Sequence, residues 1–106
     1  MGFEAIVARD GKEGIEKAIS EQPHLVLLDI LMPDMDGRDA ARILRATPAT
    51  KHIPIIAETA LCYQKDLNSC LQAGCDDYLV KPFTYKDLEK KLNGLIYPTT
   101  EKADSI

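Results

Sequence analysis

The chain has 106 residues, with 13 Lys and Arg against 17 Asp and Glu, and a formal net charge of −4. This length allows one hydrophobic core, so we expect a single small domain. The acidic balance and the lack of a basic run argue against direct binding to nucleic acid phosphates. No apolar stretch approaches membrane-spanning length, and residues 1–4 lack the pattern of a signal peptide. We therefore expect a cytoplasmic domain.

The three cysteines are Cys62, Cys70 and Cys75, an odd number without a Cys-x-x-Cys pair. This spacing does not favour a metal or redox site. Cys70 shares a helical period with Leu67 and Leu71, so we predict that it packs as a small apolar residue.

The first third of the chain alternates strand and helix patterns. Residues 3–8 predict a strand, and Asp10 with Glu13 forms a capping box that opens a helix. Pro23 ends that helix, and residues 25–29 predict the second strand. The alternation favours a unit in which two parallel strands are joined by a helix.

The rest of the chain continues this alternation. The sequence next predicts a helix that Asp36 and Asp39 open and Pro48 stops, and then a strand at 53–58. A third helix runs through Leu67 and Cys70 and ends at Gly74. A strand at 78–80 follows, and Thr84 and Asp87 open the last helix. Four strands alternating with four helices predict a parallel α/β sheet with helices on both faces. The domain is predicted to span residues 1–97, and residues 98–106 to form a flexible tail, because they show no periodicity.

The second predicted strand ends in a carboxylate. Residues 25–28 contain no polar side chain, as in a parallel strand buried on both faces, and Asp29 closes the run. The carboxyl ends of parallel strands are where open α/β sheets bind their ligands. A charge at the border of an apolar interior costs free energy unless it is paired. Asp29 is therefore the first candidate for chemistry.

Two further polar residues end other strands. Thr59 follows the strand at 53–58 with a hydroxyl, and Lys81 follows the strand at 78–80 with an ammonium group. Because the carboxyl ends of parallel strands lie at one edge of the sheet, we expect both residues to converge with Asp29. A carboxylate so placed acts as the nucleophile in enzymes that form an aspartyl phosphate, and a lysine binds phosphoryl oxygens. The three residues predict a phosphate-sized site.

Three stretches of the chain together resemble the response-regulator receiver domain of two-component signalling. They are residues 27–37, 53–60 and 73–83, and the resemblance covers residues 2–96. It implies a flavodoxin-like fold with the strand order 2-1-3-4-5.

The resemblance also implies roles for individual residues. Asp29 would accept a phosphoryl group from a partner histidine kinase or phosphotransfer protein. Thr59, Ala60 and Lys81 would bind the phosphoryl group, and Thr59 and Tyr78 would form the switch. Asp29 and the backbone carbonyl of Leu31 would bind Mg²⁺. Pro33, Gly37 and Pro82 would have structural roles, with a cis peptide bond before Pro82. Phosphorylation adds charge and acceptor oxygens, which would change the surface that a downstream protein effector binds.

The chain also departs from the family pattern. The family begins with another strand, ended by an acidic pair that holds Mg²⁺, and a helix, whereas this chain resembles it from the second strand onward. Mg²⁺ requires several oxygen ligands in near-octahedral geometry, so we expect weak or no binding by Asp29 and the Leu31 carbonyl. The absent strand would lie between residues 3–8 and 25–29. Either these strands pair directly or a second copy supplies a partner, and we favour a homo-oligomer.

Two functions stay open at this point. The first is a phosphoacceptor module of a phosphorelay, and the second is a pseudo-receiver or truncated receiver that acts only by protein contact. An enzyme is disfavoured because the sequence has no cofactor loop or catalytic pair. Tyr78 is either a switch residue or an ordinary strand residue. Glu58, at an expected apolar position, points either to the edge of the site or to solvent.

Overall fold

The structure is a computed structural model that describes residues 4–60 and 63–96. These residues form four strands and four helices in the alternation that the sequence predicts. In chain order they are β1 (Ala5–Ala8), α1 (Gly11–Glu21), β2 (Leu25–Asp29), α2 (Gly37–Ala46), β3 (Ile55–Thr59), α3 (Gln64–Ala73), β4 (Asp77–Val80) and α4 (Tyr85–Ile96). The tail predicted at 98–106 lies outside the described residues. Among the helices described, none is long and apolar enough to cross a lipid bilayer.

The strands form one parallel sheet in the order β1-β2-β3-β4. β1 is hydrogen-bonded directly to β2, with Val7 opposite Leu27. Of the two expected arrangements, the structure therefore has direct pairing, and no strand lies between β1 and β2 in the part of the chain that it describes. β2 has a pairing partner on each side, so its backbone groups are satisfied within the chain. This removes the reason for expecting a homo-oligomer, which stays an untested prediction.

Helices cover both faces of the sheet, as the sequence predicts. α1, α2 and α3 pack on one face, where Ala18, Ala40 and Cys70 join the core formed with Val26 and Leu28. α4 packs on the opposite face. There its partly buried Leu88, Leu92 and Leu95 meet Leu25, Leu27, Ile56 and Leu79 of the sheet.

The predicted helix starts are present as side-chain caps. Asp10 accepts a hydrogen bond from the backbone amide of Glu13 at 3.1 Å. Thr84 and Asp87 cap α4 reciprocally, at 2.9 Å and 3.1 Å. β3 begins two residues later than the predicted 53–58, after Pro54, which has no amide hydrogen to donate to a ladder. These caps fix where α1 and α4 begin, after the edge of the sheet that carries the polar residues.

The two described cysteines are core residues. Cys70 and Cys75 are both buried, which confirms the predicted apolar packing of Cys70. Burial raises the pKa of the Cys75 thiol to about 12, so it stays protonated at neutral pH. Cys62 lies outside the described residues.

Candidate functional site

Asp29 and Lys81 meet at the carboxyl edge of the sheet. The Lys81 ammonium Nζ donates a hydrogen bond to Asp29 Oδ2 at 3.2 Å. The Asp29 side chain is 15% exposed. Lys81 is held one residue beyond β4 because its backbone amide donates to the carbonyl oxygen of Thr59 at 2.8 Å. The edge thus presents a carboxylate beside a fixed positive charge, an arrangement suited to binding an anion.

Thr59 lies at the same edge but with a different orientation. It is the last residue of β3 and is buried. Glu58 pairs with Asp29 in the sheet, and successive strand side chains point to opposite faces. The side chain of Thr59 therefore lies on the face of the sheet that α1, α2 and α3 cover, whereas that of Asp29 lies on the face that α4 covers. Of the three predicted groups, the structure brings Asp29 and Lys81 into contact and buries Thr59 next to them in the sheet.

Tyr78 lies on β4, the edge strand beside β3. It is partly buried and stands opposite Ala57 in the sheet. The Lys91 ammonium lies 5.1 Å from the centre of its ring and 2.9 Å from Asp77 Oδ1. Tyr78, Phe83 and Lys91 contribute to the lining of an open cavity of about 270 Å³ between β4 and α4.

The three predicted structural residues follow β2 and β4 in the chain. Gly37 starts α2, and its backbone amide donates to the carbonyl oxygen of Ile30 at 2.7 Å. Pro33 lies in the exposed loop between β2 and α2. The peptide bond between Lys81 and Pro82 is cis, as the resemblance implies. Ala60, next to Thr59, is exposed.

Arg9 is a site residue that the sequence reasoning missed. Its Nη1 lies 3.7 Å from Asp29 Oδ2 and 3.7 Å from Glu58 Oε1. Arg9 directly follows β1, just as Lys81 directly follows β4. The argument that placed Lys81 at the carboxyl edge of the sheet therefore applies equally to Arg9.

Glu58 points to the edge of the site and not to solvent. Its side chain is 4% exposed, and its carboxylate forms an ion pair with Arg9. A buried carboxylate is costly unless it is paired, so the guanidinium accounts for a charged residue at this strand position.

The residues around Asp29 offer few side-chain ligands to a resident Mg²⁺ ion. No group of three or more His, Cys, Asp or Glu side chains within residues 4–60 and 63–96 is arranged to hold a metal. The two carboxylates nearest to such a site, Asp29 and Glu58, are bridged by Arg9. The backbone amide of Leu31 donates to Asp29 Oδ1 at 3.2 Å, so the other carboxylate oxygen also accepts a hydrogen bond. Mg²⁺ prefers several oxygens in near-octahedral geometry, and here a guanidinium lies beside both carboxylates.

This parallel α/β domain, with Asp29 and Lys81 at the carboxyl edge of its sheet, is of the flavodoxin-like class, as its similarity to solved receiver structures shows. The family model described as "Response regulator receiver domain" matches residues 1–93. The chain belongs to this family, whose members are signalling modules of two-component systems.

Curated relatives come from several organisms. The probable transcriptional regulator ycf27 of Cyanophora paradoxa is 40% identical over 99 residues, which cover 93% of this chain. Response regulator MprA of Mycolicibacterium vanbaalenii is 36% identical over 99 residues, again 93% of this chain. Hybrid signal transduction histidine kinase G of Dictyostelium discoideum is 42% identical over 88 residues, 82% of this chain but 3% of its own length. This chain spans 40% of the first and 42% of the second.

Solved structures support the fold. The receiver domain of sensor histidine kinase PA1611 from Pseudomonas aeruginosa PAO1 has a TM-score of 0.78 and 29% identity over 90% of this chain and 98% of that chain. Its crystal structure is described with a magnesium ion coordinated in the active site cleft. Chemotaxis protein CheY4 of Vibrio cholerae has a TM-score of 0.77 and 21% identity, and covers 87% of this chain and 98% of its own.

Proposed function

We propose that this chain is the phosphoacceptor module of a two-component phosphorelay, phosphorylated on Asp29 by a partner histidine kinase or phosphotransfer protein. The contact between Asp29 Oδ2 and Lys81 Nζ carries the proposal. It joins a carboxylate nucleophile to a positive charge at the edge of the sheet where parallel α/β folds bind ligands. Family membership supports it, because receiver domains act with histidine kinases or phosphotransfer proteins.

The transfer requires few groups from this chain. A carboxylate oxygen of Asp29 attacks the phosphorus atom of a phosphohistidine on the donor. The P–N bond breaks as the P–O bond of the acyl phosphate forms, and the electron pair of the broken bond stays on the imidazole nitrogen. Lys81 stabilises the added negative charge, because its ammonium already contacts the accepting carboxylate.

The proposed output is a change in the surface formed by α3, β4 and α4, which a downstream protein effector binds. Thr59 closes β3 opposite Val80, the residue before Lys81. The acyl phosphate draws the Thr59 hydroxyl toward the site, and Tyr78 follows into the space that this movement opens. The Lys91 ammonium near the Tyr78 ring links that movement to α4.

Incubation with acetyl phosphate and Mg²⁺, followed by intact-mass measurement, tests the proposal. We expect a mass gain of one phosphate, which Asp29→Asn abolishes while keeping nearly the same side-chain shape. A matched Asp39→Asn variant, altered at an exposed carboxylate on α2, should label like the wild type. Labelling that persists in Asp29→Asn would place the phosphate elsewhere and contradict the proposal.

A module that acts by protein contact alone is the second candidate function. The observation that favours it is the metal-ligand set, which is incomplete among the described residues. No mass gain from acetyl phosphate, together with binding of a partner that is unchanged in Asp29→Asn, would support this alternative over the phosphorelay.

A further inference from the structure

Arg9 reaches the site because of the way the sheet is paired. β1 and β2 run side by side with Ala8 opposite Leu28, so the next residues along, Arg9 and Asp29, are neighbours at the carboxyl edge. A strand inserted between β1 and β2 would separate them by a further strand spacing, about 4.8 Å. Direct pairing thus places a guanidinium where it contacts the proposed phosphoacceptor.

Glu58 forms a second ion pair with this guanidinium. Arg9 Nη1 is equidistant from Asp29 Oδ2 and Glu58 Oε1, at 3.7 Å from each. Glu58 is nearly fully buried, while the Arg9 side chain is 64% exposed. One side of the guanidinium therefore lies beside the two carboxylates, and the rest faces the solvent from which a phosphodonor approaches.

We propose that Arg9 supplies the positive charge that a divalent cation supplies at magnesium-dependent phosphoryl sites, so that Asp29 is phosphorylated without Mg²⁺. This inference depends on the proposed function. The phosphoryl group of the product carries about two negative charges and three acceptor oxygens. The planar guanidinium presents several N–H donors in a geometry that matches phosphoryl oxygens, so Arg9 and Lys81 bind the new group from both sides.

The same geometry sets Arg9 and Mg²⁺ in competition. A metal ion that used the carboxylates of Asp29 and Glu58 would have to displace the guanidinium from both. Removal of Arg9 leaves the two carboxylates without this counter-charge, which favours a cation in its place. Loss of Arg9 should therefore convert a site independent of Mg²⁺ into one that Mg²⁺ accelerates.

The first test compares initial rates of labelling by acetyl phosphate in excess chelator and in excess Mg²⁺. We expect the two wild-type rates to agree within about threefold, and Arg9→Ala to be about tenfold slower in chelator, the scale of one charge-assisted hydrogen bond. Mg²⁺ should restore the Arg9→Ala rate. Arg9→Lys should retain part of the rate in chelator, since it keeps the charge but not the planar donors. Arg42→Ala, which removes a similarly exposed arginine paired with Asp39, should behave like the wild type.

The second test measures Mg²⁺ binding to the unphosphorylated protein by titration calorimetry, with circular dichroism to verify folding. We expect Arg9→Ala to bind Mg²⁺ about tenfold more tightly than the wild type, because a competing cation is removed. Equal or weaker binding would overturn the inference.

The outcomes separate the inference from the function on which it depends. A wild type that labels only with Mg²⁺, or an Arg9→Ala variant that labels like the wild type in chelator, overturns the role of Arg9 and leaves phosphorylation of Asp29 intact. A wild type that labels in neither condition overturns the proposed function and the inference with it.

Discussion

A β-carbon at Gly37 would lie 2.5 Å from the carbonyl oxygen of Asp29. It would also lie 2.6 Å from the Cα atom of Ile30, so both obstacles are backbone atoms that cannot rotate away. Glycine at this position lets the first turn of α2 rest directly on the segment that carries the proposed phosphoacceptor. The start of α2 and the position of Asp29 are thus mechanically coupled.

Gly37→Ala is expected to lower the free energy of unfolding by about 1–3 kcal/mol, because the added methyl group forces the backbone to shift. Gly94→Ala is the matched control. Gly94 lies in α4, and a β-carbon added there would have no neighbouring atom within 4 Å, so alanine should stabilise the helix by about 0.5–1 kcal/mol. Urea denaturation measures both changes. Equal effects of the two substitutions would contradict the close approach at Gly37.

Lys81→Met should slow the labelling of Asp29 by acetyl phosphate about tenfold or more, since the charge that contacts Asp29 Oδ2 is lost. The effect on stability should stay below about 1 kcal/mol, because Lys81 is partly exposed. Lys17→Met, at an exposed lysine on α1, removes the same charge away from the contact and should label at the wild-type rate. A wild-type rate in Lys81→Met would show that the ammonium does not assist the transfer.

Asp34 connects the loop after β2 to the start of α1 and makes the fold sensitive to acid. Hydrogen bonds from the backbone amides of Gly11, at 2.7 Å, and Lys12, at 2.9 Å, hold the pKa of its carboxyl group below the usual 3.8. The folded state therefore favours the carboxylate. This contribution is fully present above the unfolded-state pKa and is lost as the pH falls through the lower, folded-state pKa.

Asp34→Asn should consequently be less stable than the wild type at neutral pH and should lose less stability on acidification to about pH 3. Urea midpoints measured at both pH values test this difference. If the variant and the wild type lose the same amount, the hydrogen bonds to Gly11 and Lys12 do not set the acid response.

The sequence predicts most of the fold because the local signals are strong. The apolar run that ends at Asp29 marks a buried parallel strand, and the caps at Asp10 and Thr84 fix helix starts through bonds between residues three apart. These features require no knowledge of the neighbours in space. Lys81 could be placed for the same reason, since it directly follows a strand.

Strand neighbours could not be predicted in the same way. The pairing of β1 with β2 places Arg9 beside Asp29, but periodicity along one strand does not identify the strand next to it. The strand that the family has at that position is absent here, and the sequence left open whether the two strands pair directly or a second copy supplies a partner. The orientation of Glu58 depends on the same pairing, so the sequence left it open.

Arg45 at the end of α2 is a second residue whose role depends on distant partners. Its Nε donates to the carbonyl oxygen of Gly74 at 2.8 Å, and its Nη1 donates to those of Lys51, at 2.8 Å, and Ile53, at 2.7 Å. Its Nη2 forms an ion pair with Asp76. One guanidinium thus joins α2 to the segments that precede β3 and β4.

Arg45→Ala should lower the free energy of unfolding by about 2–4 kcal/mol, since three carbonyl groups and a carboxylate lose a charged donor. Arg45→Lys should recover only part of this, because an ammonium group cannot reach all four acceptors in one plane. Arg42→Ala removes an ion pair with Asp39 in which both side chains are about 60% exposed, and it should cost less than about 1 kcal/mol. Chemical denaturation of the three variants measures the ranking. An Arg45→Ala variant as stable as Arg42→Ala would mean that water replaces these bonds without loss, and that α2 is held by its apolar face alone.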